Sequence, residues 1–343
     1  MAIPSPLIRY DPPIPVETEF RVGLCAWQDK SMLEEGHFYP IKRMKAEERL
    51  WWYSQFFDTV EVNSTFYAPL SAENAVRWVK RTPATFLFGV KAYGLLTGHH
   101  LDAVRLPDSL RAMLPAGARP NPRGQIENRW FPPEAHRWAF DAFREGLRPL
   151  ADSGKLAYAL FQMAPWVKYG HEALDYLARL PAELPGMTVA VEFRDASWLP
   201  AHTEEILRFL AAHQLSYVSV DAPHTPTNVA TTVALTSPVA IFRLHGRNAA
   251  GYLKQLQGRA PSVAEKYGYL YDDVELGRIV AKARGLAGHA RRVYLELNNN
   301  VGDAPAINGI QIRELLGQAT PDRADVEAEW RRRRRPPRPE SAC

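Results

Sequence analysis

The feature that most constrains the fold of this chain is an eightfold alternation of short apolar segments with amphipathic, helix-like segments. The predicted strands are Val22–Trp27, Thr59–Asn63, Phe86–Lys91, Leu156–Met163, Thr188–Arg194, Ser216–Asp221, Val239–His245 and Arg292–Asn298. Strand–helix alternation indicates a parallel sheet, and eight units indicate closure into a single-domain α/β fold, the (β/α)8 TIM barrel. An open doubly wound sheet is the alternative. The first strand is not followed by a G-x-G-x-x-G motif, however, and no G-x-x-x-x-G-K-[ST] motif occurs, so the usual markers of nucleotide-binding folds are missing.

The segments between the strands carry helix signals. The predicted helices are Ala46–Phe57, His171–Leu180, Asp273–Leu286, two that begin at the N-caps Ser71 and Thr203, and one that starts at Asp303 before Pro305. Two connections, after strands 3 and 7, are too long to be simple turns. Residues 97–135 contain His99, His100 and six prolines, and residues 246–271 contain Tyr252, Tyr267, Tyr269 and Tyr271. We expect the tyrosine-rich loop to be a lid, and the stretch 101–135 to be either a lid or a disordered insertion.

Polar side chains gather near the C-terminal ends of the predicted strands. They are Glu61, Asn63, Lys91, Gln162, Glu192, Arg194, Asp221, Arg243, His245, Glu296 and Asn298. The residues that alternate with them, such as Val60 and Val191, are apolar and suit an outer face packed against helices. The pattern predicts a polar mouth at the end of the barrel where barrel enzymes build their active sites. A fixed salt-bridge plug without chemistry is the structural alternative.

Charge and composition bound the possible partners. The chain carries a net charge of +4, but residues 331–343 hold six arginines and one glutamate, so the remainder is close to neutral at −1. The Arg-rich tail predicts at most weak nucleic-acid contact. Residues 1–20 predict a proline-rich extended arm, 21–318 the barrel, and 319–343 a basic, disordered tail. No membrane span or secretory signal is evident, and Cys25 and Cys343 do not suggest a disulfide, so a cytoplasmic location is expected.

Several motifs in order resemble those of the YecE-like family, called domain of unknown function 72. They are GLCAW at 23–27, FYP at 38–40, VEVNSTFY at 60–67, KAYGLLTGH at 91–99, QMAP at 162–165, VEFRDASW at 191–198, RLHGR at 243–247 and LNNN at 297–300. The resemblance covers roughly residues 21–315. It implies a TIM barrel with a polar pocket at its mouth, and it implies no particular reaction.

The leading hypothesis is a hydrolase- or lyase-type enzyme that acts on a sugar- or phosphate-bearing small molecule and needs no cofactor. Glu61 and Glu192 would form an acid/base pair, with Asp221 and His245 as further catalytic groups. The predicted substrate-binding residues are Trp27, Asn63, Tyr67, Lys91, His99, Gln162, Arg194, Trp198, Arg243, Glu296, Asn298 and Asn299.

Other readings stay open from the sequence. A metal-dependent phosphodiesterase would draw its ligands from His99, Glu192, Asp221, His245 and Glu296. No H-E-x-x-H motif supports such a site, and no metal ligand is predicted. A non-enzymatic module would bind nucleic acid through the arginine tail. Cys25 as a nucleophile is a minor possibility, since a small buried thiol is the commoner role.

Overall fold

Eight parallel strands close into a barrel in this computed structural model, which describes residues 5–10, 12, 16–223, 231–256, 262, 265 and 268–334. The barrel strands, numbered one to eight along the chain, are Glu19–Leu24, Thr59–Val62, Leu87–Lys91, Leu156–Gln162, Val189–Glu192, Ser216–Asp221, Val239–Leu244 and Arg292–Leu297. Each strand pairs with its neighbour in sequence, and the eighth pairs with the first. The predicted TIM barrel is therefore confirmed, and the open sheet is wrong.

The first strand differs most from its prediction. It starts at Glu19 and ends at Leu24, whereas the apolar run predicted Val22–Trp27. Glu19 pairs with Arg292 at the start of the eighth strand, so the ladder begins among polar residues that conceal it in the sequence. The extended arm correspondingly ends before residue 20. Within it, Leu7–Ile8 pairs with Ala234–Leu235.

Helices cover the outside of the barrel. They are Lys30–Glu34, Ala46–Phe56, Ala72–Arg81, Asp108–Met113, Pro133–Asp152, His171–Glu183, Thr203–Ala212, Ala249–Leu256, Asp273–Arg284, Ala304–Leu315 and Arg323–Arg333. The Ser71 hydroxyl caps its helix by accepting from the Asn74 N–H, as predicted. Thr203 lies one residue inside its helix, where His202 is the N-cap. Asp303 is the N-cap of the helix Ala304–Leu315 and Pro305 lies in its first turn, as predicted, while the Asp303 carboxylate accepts from the Phe38 N–H at 3.0 Å.

The alternation of side chains along each strand divides the core in two. Val60, Val62 and Val191 face outward into the layer between strands and helices, together with Phe193, which lies just beyond the end of the fifth strand. The inner cluster is smaller and contains Leu87, Ala157, Tyr158, Leu160, Ala190, Val218, Val239, Ile241 and Tyr294. These side chains fill the lower barrel, so the polar strand ends lie above a packed floor.

The two long connections contain more structure than predicted. The first holds the helix Asp108–Met113 and the antiparallel pair Leu101–Asp102 and Gln125–Ile126. The second holds the helix Ala249–Leu256, while residue 267 and the side chain of residue 252 lie outside the described part. Tyr271 is buried, and its hydroxyl donates to Asp221 Oδ1 at 2.9 Å.

The basic tail is not disordered from residue 319. Residues Arg323–Arg333 form a helix whose Val326 and Trp330 are buried, and the Trp330 ring meets the edge of Trp52 at 6.4 Å. The compact unit therefore extends past residue 318, because this helix carries an apolar anchor as well as arginines. Residues 335–343, including Cys343, lie outside the described part.

No helix within the described ranges combines the length and apolar character that crossing a membrane requires.

Candidate functional site

Arg243 is the centre of the polar cluster that forms at the upper end of the barrel. Its Nη2 donates to Glu61 Oε1 at 2.7 Å, and its Nη1 donates to Glu192 Oε2 and, at 3.0 Å, to Gln162 Oε1. The side chains of Arg243, Glu61 and Glu192 are no more than 1% exposed. The ends of the second, fourth, fifth and seventh strands thus converge on one guanidinium.

A second layer lies closer to the mouth. Arg194 pairs with Glu192, and its Nη2 lies 2.9 Å from Gln162 Oε1 and 3.3 Å from His245 Nε2. His245 Nδ1 lies 2.7 Å from the Asn298 amide nitrogen. Arg194 is 19% exposed at its side chain, so this layer borders solvent.

Burial and neighbouring charges determine the protonation states of the side chains in this cluster. Burial alone would raise the pKa of Glu192, but Arg194 and Arg243 lower it well below its usual range. Burial and the nearby Arg194 lower the pKa of His245 to about 3. At neutral pH the cluster therefore holds an ionised Glu192 and a neutral His245.

A buried acid lies beside Arg243 on the neighbouring eighth strand, where Glu296 is its register partner. Glu296 is fully buried, and neither of its carboxyl oxygens has a hydrogen-bond partner among the described residues. Burial and the Glu61 charge raise the pKa of Glu296 well above its usual range. The Tyr158 hydroxyl donates to Glu61 Oε2 at 3.3 Å. Gly23 makes this crowding possible, because a Cβ there would lie 2.8 Å from Glu296 Oε2.

Lys91 stands apart from these pairs. Its ammonium lies 4.5 Å from the centre of the Phe66 ring and has no hydrogen bond or ion pair among the described residues. Burial, followed by the charges of Arg243 and Arg194, lowers its pKa to about 7. It is the half-buried cation of the cluster whose proton is lost most easily near neutral pH.

Asp221 does not join the cluster, although the sequence predicts it there. Its carboxylate accepts from Arg247 Nε at 2.8 Å and from the Tyr271 hydroxyl at 2.9 Å. The inner face of the sixth strand is formed by the alternate residues Val218 and Val220. Asp221 consequently faces the helical layer, where it helps to anchor the loop that follows the seventh strand.

Three predicted binding residues also lie in the outer layer. Trp27 meets the edge of Trp78 at 5.4 Å, and Trp198 stacks on Phe193 at 4.2 Å. The Asn299 amide donates to the Tyr269 carbonyl at 2.8 Å. All three are buried, so their contacts support the fold rather than a ligand.

The remaining predicted residues lie at the rim of the mouth. Asn63 donates to the Cys25 carbonyl at 2.9 Å, and its own Oδ1 has no partner in the described structure. Tyr67 is 56% exposed. His99 meets the edge of Phe66 at 4.8 Å, and burial and the Lys91 charge lower its pKa to about 3.

Sequence reasoning missed Tyr158, Phe66 and Trp166. Tyr158 shares one strand face with Leu160 and Gln162, so the two-residue period of the fourth strand was a sufficient signal. Phe66 and Trp166 follow strand ends in loops, where no periodicity identifies which side chains turn inward. Cys25, the minor nucleophile candidate, lies 3.9 Å from Arg243, but burial and Glu61 raise its pKa well above normal.

The residues named for a metal site do not form one. Across the described ranges, no three or more His, Cys, Asp or Glu side chains are grouped so that they could hold a metal ion. Asp221 points away, and Arg194 and Arg243 occupy the Glu192 carboxylate.

Comparison with known proteins agrees with this architecture. Residues 21–332 match the family described as protein of unknown function DUF72. The chain is 33% identical to UPF0759 protein YunF of Bacillus subtilis over 298 residues, which cover 86% of this chain and 94% of that protein.

Two solved structures share the fold along nearly their whole length. A DUF72 family protein from Thermotoga maritima matches with a TM-score of 0.67 at 27% identity, covering 87% of this chain and 99% of that one. A DUF72 family protein from Enterococcus faecalis matches with a TM-score of 0.69 at 25% identity, covering 88% and 96%. The family match reaches residue 332, so it includes most of the helix Arg323–Arg333.

Proposed function

This chain belongs to the DUF72 family, and we propose that it is a hydrolase- or lyase-type enzyme that binds an anionic, sugar- or phosphate-bearing substrate at the barrel mouth. The family description names no reaction, so the proposal depends on the site. The anion site, as we define it, consists of Lys91 and Arg194.

The observation that supports the proposal is the unbalanced charge of Lys91. Glu61 and Glu192 are held by Arg243, and Arg194 is also bound to Glu192. Lys91 has no carboxylate within ion-pair distance in the described structure, although it lies at the end of a barrel strand. A cation that is partly removed from water without a partner is costly, and an anionic ligand would relieve that cost.

Arg194 extends the site toward solvent. Its Nε and Nη2 side faces Glu192, Gln162 and His245, while its Nη1 makes no hydrogen bond to a described residue. A phosphate or carboxylate between this nitrogen and the Lys91 ammonium would meet two cations. The same pair could stabilise negative charge that develops during bond cleavage.

Proton transfer is assigned to Lys91 rather than to the two glutamates. A general acid or base works best when its pKa lies near the working pH, and the pKa of Lys91 is lowered to about 7. Glu192 is a poor acid because Arg194 and Arg243 hold its pKa well below the usual range. We therefore assign Glu61 and Glu192 to positioning Arg243, which in turn holds Gln162.

The alternatives find less support. A metal-dependent phosphodiesterase would need carboxylates that the guanidinium groups already occupy. A nucleic-acid module would need free arginines in the tail. In the described part of the tail, Arg331 and Arg332 pair with Glu327 and Glu329 within their own helix.

The test is calorimetric titration of the full chain with sulfate, an anion whose charge is constant between pH 6 and pH 8. Because Lys91 must be protonated to attract the anion, affinity should fall about tenfold over this range. Lys91→Met should bind weakly at both pH values. Lys80→Met is the matched control, because Lys80 is exposed in the last turn of the helix Ala72–Arg81, at the other end of the barrel.

Equal sulfate affinity in the wild type and in Lys91→Met would contradict the anion site. A panel of phosphate esters, glycosides and phosphorylated hydroxy compounds then identifies the reaction. Any turnover should be lost in Lys91→Met and Arg194→Met and kept in Lys80→Met.

A further inference from the structure

We infer that Tyr67 and Trp166 form a ring-binding subsite next to the anion site, and that the ligand is a phosphorylated cyclic sugar. This inference depends on the proposed function, because it extends the same mouth. The aromatic rim, as we define it, consists of Phe66, Tyr67, His99, His100 and Trp166.

The rim is continuous with Lys91. The Lys91 ammonium lies over the Phe66 ring, and the edge of His99 meets Phe66 at a centroid distance of 4.8 Å. His99 in turn lies 5.7 Å from Trp166, and Tyr67 meets Phe66 at 5.1 Å. Lys91 is therefore connected to Tyr67 through the Phe66 ring, and to Trp166 through the rings of Phe66 and His99.

Two rings of the rim, Tyr67 and Trp166, are exposed, yet contacts hold the rim in place. Trp166 is 48% exposed and Tyr67 is 56% exposed, so both rings present a large surface to solvent. The Trp166 indole N–H donates to the Gly98 carbonyl at 2.9 Å, and His100 stacks on the indole at 4.4 Å. The Thr97 hydroxyl lies 2.8 Å from His99 Nδ1. Ordered, half-exposed rings beside a polar pocket are suited to bind a ligand face.

Two amide groups of the mouth favour a sugar. Gln162 uses its Oε1 to accept from Arg194 and Arg243, which leaves its Nε2 without a partner among the described residues. Asn63 Oδ1 is likewise without one in the described structure. A sugar ring presents C–H groups to an aromatic face and hydroxyl groups to amides, so it would satisfy both features at once.

The experiment compares glucose 6-phosphate with glycerol phosphate, which carries the anion without a ring, by calorimetry at pH 6.5. We expect glucose 6-phosphate to bind about tenfold more tightly. Trp166→Ala should reduce the affinity for glucose 6-phosphate to that for glycerol phosphate and leave the affinity for sulfate unchanged. Trp166→Phe, which keeps a ring, should retain most of the difference, and Tyr67→Ala should lose part of it.

Each other outcome is decisive. Equal affinity for the two phosphates, with sulfate still bound, would overturn the ring subsite and leave the proposed function intact. Unchanged glucose 6-phosphate binding in Trp166→Ala would do the same. Tighter binding of adenosine monophosphate than of glucose 6-phosphate would overturn the assignment to a sugar. Failure of the wild type to bind any of these anions would overturn the proposed function, and the ring subsite with it.

Discussion

Arg243 shows how one residue organises a buried polar cluster. Its guanidinium binds Glu61, Glu192 and Gln162 from inside the barrel, where a single unpaired ion would be strongly destabilising. The same contacts fix Glu192, which then orients Arg194 at the edge of the mouth. The two glutamates thus act through the arginines in our assignment.

The neighbouring acids Glu296 and Glu61 should respond differently to the same substitution. Glu296→Gln replaces a group that burial keeps protonated, so we expect the free energy of unfolding at pH 5 to change by less than about 1 kcal/mol. Glu61→Gln removes a carboxylate that accepts from Arg243, and it should cost about 2–4 kcal/mol. Urea unfolding of both variants at pH 5 and pH 8 measures the two effects.

The contribution of Glu296 to stability depends on pH. Because its folded pKa is raised, the unfolded chain releases this proton above pH 4.5 while the folded protein keeps it, so the wild type loses stability as pH rises. Glu296→Gln has no such loss, so its free energy of unfolding should exceed that of the wild type by more than about 1 kcal/mol at pH 8. A constant difference between wild type and variant would mean that Glu296 is ionised inside the barrel.

Among the elements, the helix Arg323–Arg333 carries both exposed arginines and a buried tryptophan. Its arginines are exposed and form ion pairs, while Trp330 is only 4% exposed and packs against Trp52. Arg333 also lies over the Trp51 ring at 4.5 Å. The helix therefore belongs to the layer of helices that packs around the barrel.

Trp330→Ala should lower the free energy of unfolding by about 3–4 kcal/mol, because it removes a large buried ring from a packed contact. Arg331→Ala is the matched control one residue away. It removes an exposed side chain and should cost less than about 0.5 kcal/mol. If both variants unfold at the same urea concentration as the wild type, the helix does not dock on the barrel in solution.

At the scale of the whole molecule, the charges inside the barrel mouth are distinct from those at the end of the chain. The inner charges largely cancel around Arg243, and the net positive charge comes from the end of the chain. Arg334 is also neutralised, by Glu48 at 3.0 Å. The high pI therefore describes the tail rather than the site.

A chain that ends at residue 330 should bind sulfate as the full chain does, because the anion site lies inside the barrel mouth. Any affinity of the full chain for a single-stranded oligonucleotide should be weak at 150 mM salt, with a Kd of about 0.1 mM, and should disappear in the shortened chain. Fluorescence anisotropy with a labelled oligonucleotide measures this. Tight oligonucleotide binding that survives the truncation would point to nucleic acid at the mouth itself.

The sequence was sufficient to predict the barrel, because eight apolar segments separated by helix signals can bury their backbone and side chains in few other ways. It also identified most of the inner polar residues, since a strand places alternate side chains on one face. Glu61, Lys91, Glu192, Arg243 and Glu296 all follow this rule.

Tertiary structure alone decided which of these groups are paired and which are not. Asp221 has the residue type expected at the mouth but occupies the outward position of its strand, one residue after Val220. Lys91 has no ion-pair partner among the described residues, while Arg243 pairs with both Glu61 and Glu192, and such pairings depend on distances across the barrel. Local periodicity determines on which face of its strand a side chain lies, whereas closure of the sheet determines which side chains of other strands are its neighbours.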